Sequence, residues 1–395
     1  MHLVDATMFW SPTGGGVRRY LQTKHAWLEG QPEWRHTIAV PLAGSGPAGA
    51  GVARLPSVPL PASGGYRLPL DRAAIARVLV ALQPDLIEAG DPYRVAWGAL
   101  DAAERLSIPA VAYCHSNIVA MARLAGGRRF GPIAAGAARR YARRLYRRFD
   151  LVLAPSQALL AHLDDWGVDG AVVAPLGVDT ALFHPGRDRS GWRDAHGIGD
   201  DVRLLIYVGR FAAEKHLDVL AAAVARLGAP YRLVAIGAGP APPPPGERVT
   251  VLPFVADAGE LADALAAADR FVHAGDQETF GLSLLEALAC GTPAVVRAAE
   301  GLAEWVDGHA CLGVGPADAG AFAEAIAASF DGAHDGVHDG EHDDEPEGRR
   351  LAARRRAEAH DWGQALTRLT DRYRTLVTGE PPRPAVASPV LEGGR

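Results

Sequence analysis

Cysteine is scarce: the 395 residues carry three, Cys114, Cys290 and Cys311. Odd in number, widely spaced and set among apolar neighbours, they exclude a disulfide framework and predict buried thiols in a reducing compartment. Their spacing fits no metal-ligand pattern. The opening residues, MHLVDATMFW, lack a basic segment and meet Asp5 at once, so they do not read as a secretory signal. No apolar run reaches the ~18 residues that a spanning helix needs. The expected location is cytoplasmic, with peripheral attachment to the inner face of the cell membrane left open. Positive charge is not in excess either, and a net charge of −6 argues against nucleic-acid binding. An Asp-x-Asp pair of the kind that holds a metal on a diphosphate is also missing. What is present is 48% hydrophobic and 22% charged, the balance of a globular protein, at a length that suits two domains better than one core.

Strand and helix patterns alternate with short connections along both halves. In the first half, strands are expected at His2–Asp5, Ile38–Pro41, Val52–Leu55, Asp85–Glu88, Ala110–Tyr113, Leu151–Ala154 and Ala171–Ala174. Helical patterns fall at Val17–Glu29, Asp71–Leu82, Val95–Leu106 and Ser156–Trp166. The second half repeats the theme from Arg203 onward, through strands at Arg232–Ile236, Val249–Leu252 and Arg270–His273. This alternation predicts an α/β protein of parallel, doubly wound sheets, which bind ligands beyond the strand C-termini.

The most informative stretch is His273–Arg297, HAGDQETFGLSLLEALACGTPAVVR. Glu278 and Glu286 lie eight residues apart, with Gly281 between them at the expected entry to a helix that Gly291 stops. Even fully helical, eight residues span at most ~12 Å, about the reach from a hexose ring to the ribose of a nucleotide-diphospho-sugar. Free amides at the helix start face anions well. Earlier, Ser11–Gly16 places three glycines between a strand and a helix, with Arg18 and Arg19 opposing the helix dipole just after. Gly209-Arg210 and Lys215 put two cations on a strand-to-helix turn, and His115 stands at another strand end.

Glu278-Thr279-Phe280-Gly281-Leu282, Glu286-Ala287 and Cys290-Gly291-Thr292-Pro293 together resemble the Glu-x7-Glu signature of the retaining, GT-B-fold glycosyltransferases of family 4. The likeness runs over nearly the whole chain. It implies two Rossmann-like domains facing a central cleft: residues 1–176 on the acceptor side, and 177–360 binding a nucleotide-sugar, with a last helix at 361–377 packing back on the first. It implies that Glu278 orients sugar hydroxyls, that Glu286 holds the ribose, and that Phe280, Gly281 and Leu282 border the donor. By the same resemblance Gly15 and Gly16 approach the donor phosphate, Arg210 and Lys215 clamp the diphosphate, and His115 lies by the transferred sugar. No cofactor or metal is implied, the nucleotide-sugar being a substrate of GDP-mannose or UDP-glucose type. The acceptor would be a glycan or lipid-linked sugar in envelope polysaccharide or glycolipid synthesis. Two departures stand out: Pro253-Phe254-Val255, where the family often has glycine near the base, and Ala298-Ala299-Glu300-Gly301, where it often has a glycine pair. Rival readings are another GT-B enzyme, such as a phosphorylase or nucleotide-sugar epimerase, and a non-catalytic nucleotide- or lipid-binding envelope-assembly protein.

Arg123–Phe149 holds nine arginines and no acidic residue. Ile133, Ala137, Tyr141, Leu145 and Phe149 recur every four residues as one apolar stripe, flanked by the arginines from Arg139 to Arg148. Such a helix either packs on a core with a solvated basic face or meets an anionic membrane surface. Residues 331–348 alternate His, Asp and Gly, which reads as a flexible insertion, and 380–395 read as a disordered tail.

Overall fold

The computed structural model describes residues 1–11, 15–44, 49–61, 63–330 and 346–380. In the first domain the chain runs through β1 (His2–Ala6), α1 (Gly16–Glu29), β2 (Arg35–Pro41), β3 (Val52–Leu55), the short pair β4 (Val58–Pro59) and β5 (Arg67–Leu68), and α2 (Arg72–Ala81). It continues through β6 (Leu86–Ala89), α3 (Arg94–Leu106), β7 (Ala110–Tyr113), α4 (Ile118–Ala125), α5 (Gly127–Tyr146), β8 (Leu151–Ala154), α6 (Gln157–Asp165) and β9 (Val172–Val173). The second domain follows with α7 (Arg189–Ala195), β10 (Arg203–Val208), α8 (Leu217–Leu227), β11 (Tyr231–Ile236), β12 (Val249–Leu252), α9 (Ala258–Ala267), β13 (Arg270–His273) and α10 (Leu282–Ala289). It ends with β14 (Ala294–Arg297), α11 (Glu300–Ala303), β15 (Cys311–Val314), α12 (Ala319–Phe330) and α13 (Pro346–Glu358), after which α14 (Trp362–Thr378) returns to the first domain.

Two large sheets result, ordered β3-β2-β1-β6-β7-β8-β9 and β12-β11-β10-β13-β14-β15, and every pairing within them is parallel. Burial on both faces explains the unbroken apolar runs of these strands, such as Leu204–Tyr207. The strand order reverses once in each sheet, between β1 and β6 and between β10 and β13. Crevices beyond the strand C-termini at those two points are where such sheets take ligands. The loops after β1, β6, β10 and β13 carry most of the residues singled out above.

The chain passes between the domains twice, side by side. Val178 N–H donates to His360 O at 2.9 Å, and Trp362 N–H returns to Val178 O at 3.2 Å. Glycine is required at Gly177, where a Cβ would lie 2.8 Å from the Trp362 backbone. Asp361 caps α14 by accepting from Gly363 N–H, and the helix lays Leu366, Leu369 and Tyr373 into the core beside Tyr20 and Leu28 of α1.

Beneath that contact lies a buried ionic cluster. Lys24, 0% exposed, donates to Asp5 Oδ1 at 2.9 Å and to Glu88 Oε2 at 2.7 Å. Tyr20 and Tyr373 donate their hydroxyls to Glu88, and His36 Nε2 lies 2.8 Å from Asp5 Oδ2. Burial alone would lower the Lys24 pKa, but the two carboxylates reverse this and raise it. For Glu88, burial and the charge of Asp5 win and move the pKa up; for Asp5, Lys24 and His36 outweigh burial and bring it down.

The basic stretch departs from expectation. It forms two helices, parted at Gly126-Gly127, where Gly127 takes φ +58. The stripe is also split: Ala142, Leu145 and Tyr146 pack into the first domain, while Ile133 is 71% exposed. Several arginines are occupied, Arg144 and Arg148 over the Trp97 ring and Arg139 on Asp165. The exposed apolar side chains gather instead on α4 and the start of α5, at Met121, Leu124, Phe130 and Ile133. The expected insertion and tail fall largely outside the described residues; residues 346–348, assigned to the insertion, instead open α13.

Candidate active site

β13 delivers its last residue, His273, to the crevice of the second domain. Gly275 N–H donates to its Nδ1 at 3.1 Å, which leaves Nε2 to carry the proton and to donate to Glu278 Oε1 at 3.2 Å. Burial keeps this imidazole's pKa low, so it is a neutral donor. Lys215, buried on the turn after β10, ion-pairs with the same Glu278 oxygen. Burial would raise the Glu278 pKa, but the Lys215 ammonium and the His273 N–H hold it well below the usual carboxylate range. Glu278 is thus an ionised, fixed hydrogen-bond acceptor, which suits the hydroxyls of a sugar. Its backbone is pinned as well, by Gly301 N–H donating to Glu278 O at 2.8 Å.

Gly281 caps α10 with φ +90, a conformation that side chains rarely adopt, and an added Cβ would lie 2.8 Å from Leu302 Cδ2. The first amides of α10 have no partner within the helix and carry its positive dipole end. Gly16 opens α1 on the facing domain, and a Cβ there would meet Leu282 Cδ2 at 3.6 Å. Two helix starts therefore converge, although a Cβ at Gly16 would make only an ordinary contact with Leu282 and one at Gly15 would meet nothing. Pro12, Thr13 and Gly14 lie outside the described residues.

His115 hangs from the end of β7 on the first domain. Its carbonyl accepts from Thr279 Oγ1 across the cleft at 3.1 Å. Its ring stacks on Tyr113 at 4.3 Å and stands 5.5 Å from Tyr20. Burial, helped by the charge of Lys24, drops its pKa to about 3, so the imidazole is neutral across the physiological range. Among the described residues its Nε2 is buried without a hydrogen-bond partner, a costly state that a ligand hydroxyl would relieve.

Glu286 sits one turn inside α10 at 3% exposure. Burial pushes its pKa up, partly offset by Arg19, which reaches over from α1 to ion-pair with it. Both line a cavity of about 310 Å³ between the domains, together with Arg18, Phe183, Phe254 and Trp362.

Family models match both halves of the chain: Glycosyltransferase Family 4 over residues 14–182, and Glycosyl transferases group 1 over residues 202–331. A GDP-mannose-dependent alpha-(1-6)-phosphatidylinositol dimannoside mannosyltransferase of Mycobacterium tuberculosis is 31% identical over 401 aligned positions, covering 93% of this chain and 95% of that protein. The chain belongs to glycosyltransferase family 4. A GDP-mannose-dependent alpha-mannosyltransferase of Mycolicibacterium smegmatis is 33% identical over 64% of the chain and 66% of its own length. Among solved structures, sucrose-phosphate synthase from Thermosynechococcus elongatus superposes with a TM-score of 0.76 at 20% identity, covering 96% of this chain and all of that one. Anabaena Alr3699/HepE, solved with UDP and glucose, gives 0.69 at 18% identity over 94% and 99%. The fold is GT-B, and the chain is a glycosyltransferase.

Not every expected residue of this family 4 enzyme is in the cleft as a side chain. Arg210 is not beside Lys215: its side chain is 68% exposed and pairs with Glu214 at 2.7 Å. Phe280 turns into the core, edge-on to Trp305 at 5.4 Å, so only its backbone borders the helix start. Three participants were not assigned from the sequence. His273 and Thr279 had a signal, being polar groups at a parallel strand's C-terminal end and within the signature. Arg19 had only its unfavourable place in the first turn of α1, and its partner proves to be Glu286. The second departure from the family also has an outcome: Glu300 adopts φ +49 and turns away to His162 of the first domain, at 2.8 Å. Among the described residues, no group of three or more His, Cys, Asp or Glu side chains is placed to hold a metal ion.

Proposed function

We propose that the enzyme transfers a mannosyl unit from GDP-mannose to a phosphatidylinositol-type glycolipid, with retention of configuration. The observation that carries the reading is the arrangement of Lys215, Glu278 and His273 opposite the neutral His115, in a chain aligned over 93% of its length with the mycobacterial phosphatidylinositol dimannoside mannosyltransferase. Glu278 fixes the hydroxyls of the mannose and Glu286 takes the ribose. Lys215 and the amides at the starts of α1 and α10 meet the charge that grows on the departing diphosphate, a preorganised stabilisation. Arg210, exposed at the rim on Glu214, turns inward to the diphosphate when the donor binds. His115 accepts or donates one hydrogen bond beside the anomeric carbon and, with its pKa lowered to about 3 by burial, is too weak a base to take the acceptor's proton. The diphosphate leaves from the face on which the acceptor hydroxyl arrives and takes that hydroxyl's proton, which accounts for retention without a protein nucleophile.

The test is a donor panel. Thermal shift and slow hydrolysis are measured with GDP-mannose, UDP-glucose and other nucleotide-sugars, followed by transfer to phosphatidylinositol mannosides and NMR of the product anomer. Response to another donor alone, or a β-linked product, overturns the reading. A second surface supports the lipid acceptor: Met121, Leu124, Phe130 and Ile133 are exposed beside Arg123, Arg128 and Arg129. Each such cation near an anionic bilayer adds ~1 kcal/mol, so flotation on vesicles should need anionic lipid, weaken with salt and fall in Ile133→Glu. Equal flotation on neutral vesicles removes the membrane assignment. No helix among the described residues is long and apolar enough to cross a membrane.

A further inference from the structure

Arg19 and Glu286 are 267 positions apart and on different domains, yet they form an ion pair in the cleft. Among the described residues, the Glu286 carboxylate has that guanidinium as its one hydrogen-bond partner, and burial already works against its charge. A buried carboxylate that loses its cation must find other donors or take up a proton. A ribose offers two adjacent hydroxyls, which are such donors. Guanidinium and ribose would meet the same carboxylate from the same cavity, which both residues line. The Arg19 guanidinium also stands 5.7 Å from the ring centre of Phe183, which follows the crossing at Val178. The pair is therefore a contact between domains that exists at the place where the donor has to enter.

We propose that Arg19 is a latch: it ties the ligand-free cleft together through Glu286 and gives up that carboxylate to the ribose of the incoming nucleotide. This rests on the reading of Glu286 as the ribose ligand. Arg19 is a positioning residue in this scheme, since it acts on the donor only through Glu286. Donor affinity is then the difference between two contacts with one carboxylate. Removing the arginine removes the competitor, so binding becomes tighter rather than weaker, the opposite of what a cation serving the diphosphate directly would give.

The experiment is a double-mutant cycle on the full chain, with GDP as the probe and calorimetry as the readout. Arg19→Met keeps the aliphatic stem and should tighten GDP by about fivefold, the upper end of what a partly exposed ion pair contributes. Arg19→Lys should fall between Met and wild type. In a Glu286→Gln background, which itself weakens GDP, the Arg19→Met effect should shrink to less than about twofold, as coupled residues require. Small-angle scattering should show the ligand-free Arg19→Met protein more open than wild type. Unchanged or weaker GDP binding by Arg19→Met, with Glu286→Gln still weakening it, overturns the latch and leaves the ribose reading standing. GDP binding that is indifferent to Glu286→Gln overturns the ribose reading itself.

Discussion

Replacing Lys24 with methionine removes one charge and almost no volume, and it strikes where the first domain has least tolerance. The ammonium is fully buried and touches both Asp5 and Glu88. Without it, two carboxylates stay in the interior with Tyr20, Tyr373 and His36 as their remaining partners. Breaking a buried pair by deleting one partner costs about 3–5 kcal/mol, a fifth or more of the ~5–15 kcal/mol that holds a typical domain together. The pH dependence separates this cause from lost packing. With its cation gone, burial raises the carboxyl pKa values above those of the unfolded chain. Groups raised in this way contribute most below the unfolded pKa and lose that contribution as pH rises through the folded pKa. The deficit of Lys24→Met relative to wild type should therefore be largest near pH ~8 and shrink toward pH ~5. Urea unfolding followed by tryptophan fluorescence at several pH values measures it. Adding Glu88→Gln should recover part of the loss. A deficit below about 1 kcal/mol, or one that is flat with pH, would refute the account.

Lys215→Met should leave the fold intact and lower turnover by at least about 10²-fold; because burial of Glu278 is then opposed only by the His273 N–H, the acid limb of its pH–rate profile should move to higher pH than in wild type. Gly281→Ala forces a side chain into φ +90 against Leu302, and should weaken nucleotide binding by the ~1–3 kcal/mol of such strain, read by calorimetry. Ser107 ends α3 in the left-handed region at φ 55 and is exposed, so Ser107→Gly should raise stability by about 1 kcal/mol with activity unchanged.

Most of the scaffold could be read from the chain because its signals are local. Parallel strands buried on both faces spell themselves out as apolar runs, and Gly281 and Gly291 mark the two ends of α10 to within two residues. Glu278 and Glu286 were legible for the same reason, both lying within one turn-and-helix unit. What escaped depends on partners far along the chain. Nothing near Arg19 announces Glu286, and nothing near Lys24 announces that Glu88 and Tyr373 will close over it. The basic helices failed differently: periodicity found an apolar stripe, but only packing decides that Leu145 is covered and Ile133 is not. Arg210 and Lys215 share a turn, yet the buried one found Glu278 and the exposed one took Glu214 four residues on, a local pair that spacing alone also allowed.

The double crossing between the domains has a consequence for anyone who would take the enzyme apart. Glu88 is satisfied by a hydroxyl from Tyr373, so a fragment ending near Leu176 would expose the floor of its own sheet and carry an open charge cluster. Chimaeras that exchange one Rossmann unit with a related enzyme should move α14 together with the first domain, not with the polypeptide that precedes it. The sequence order of the modules is thus a poor guide to where they can be cut.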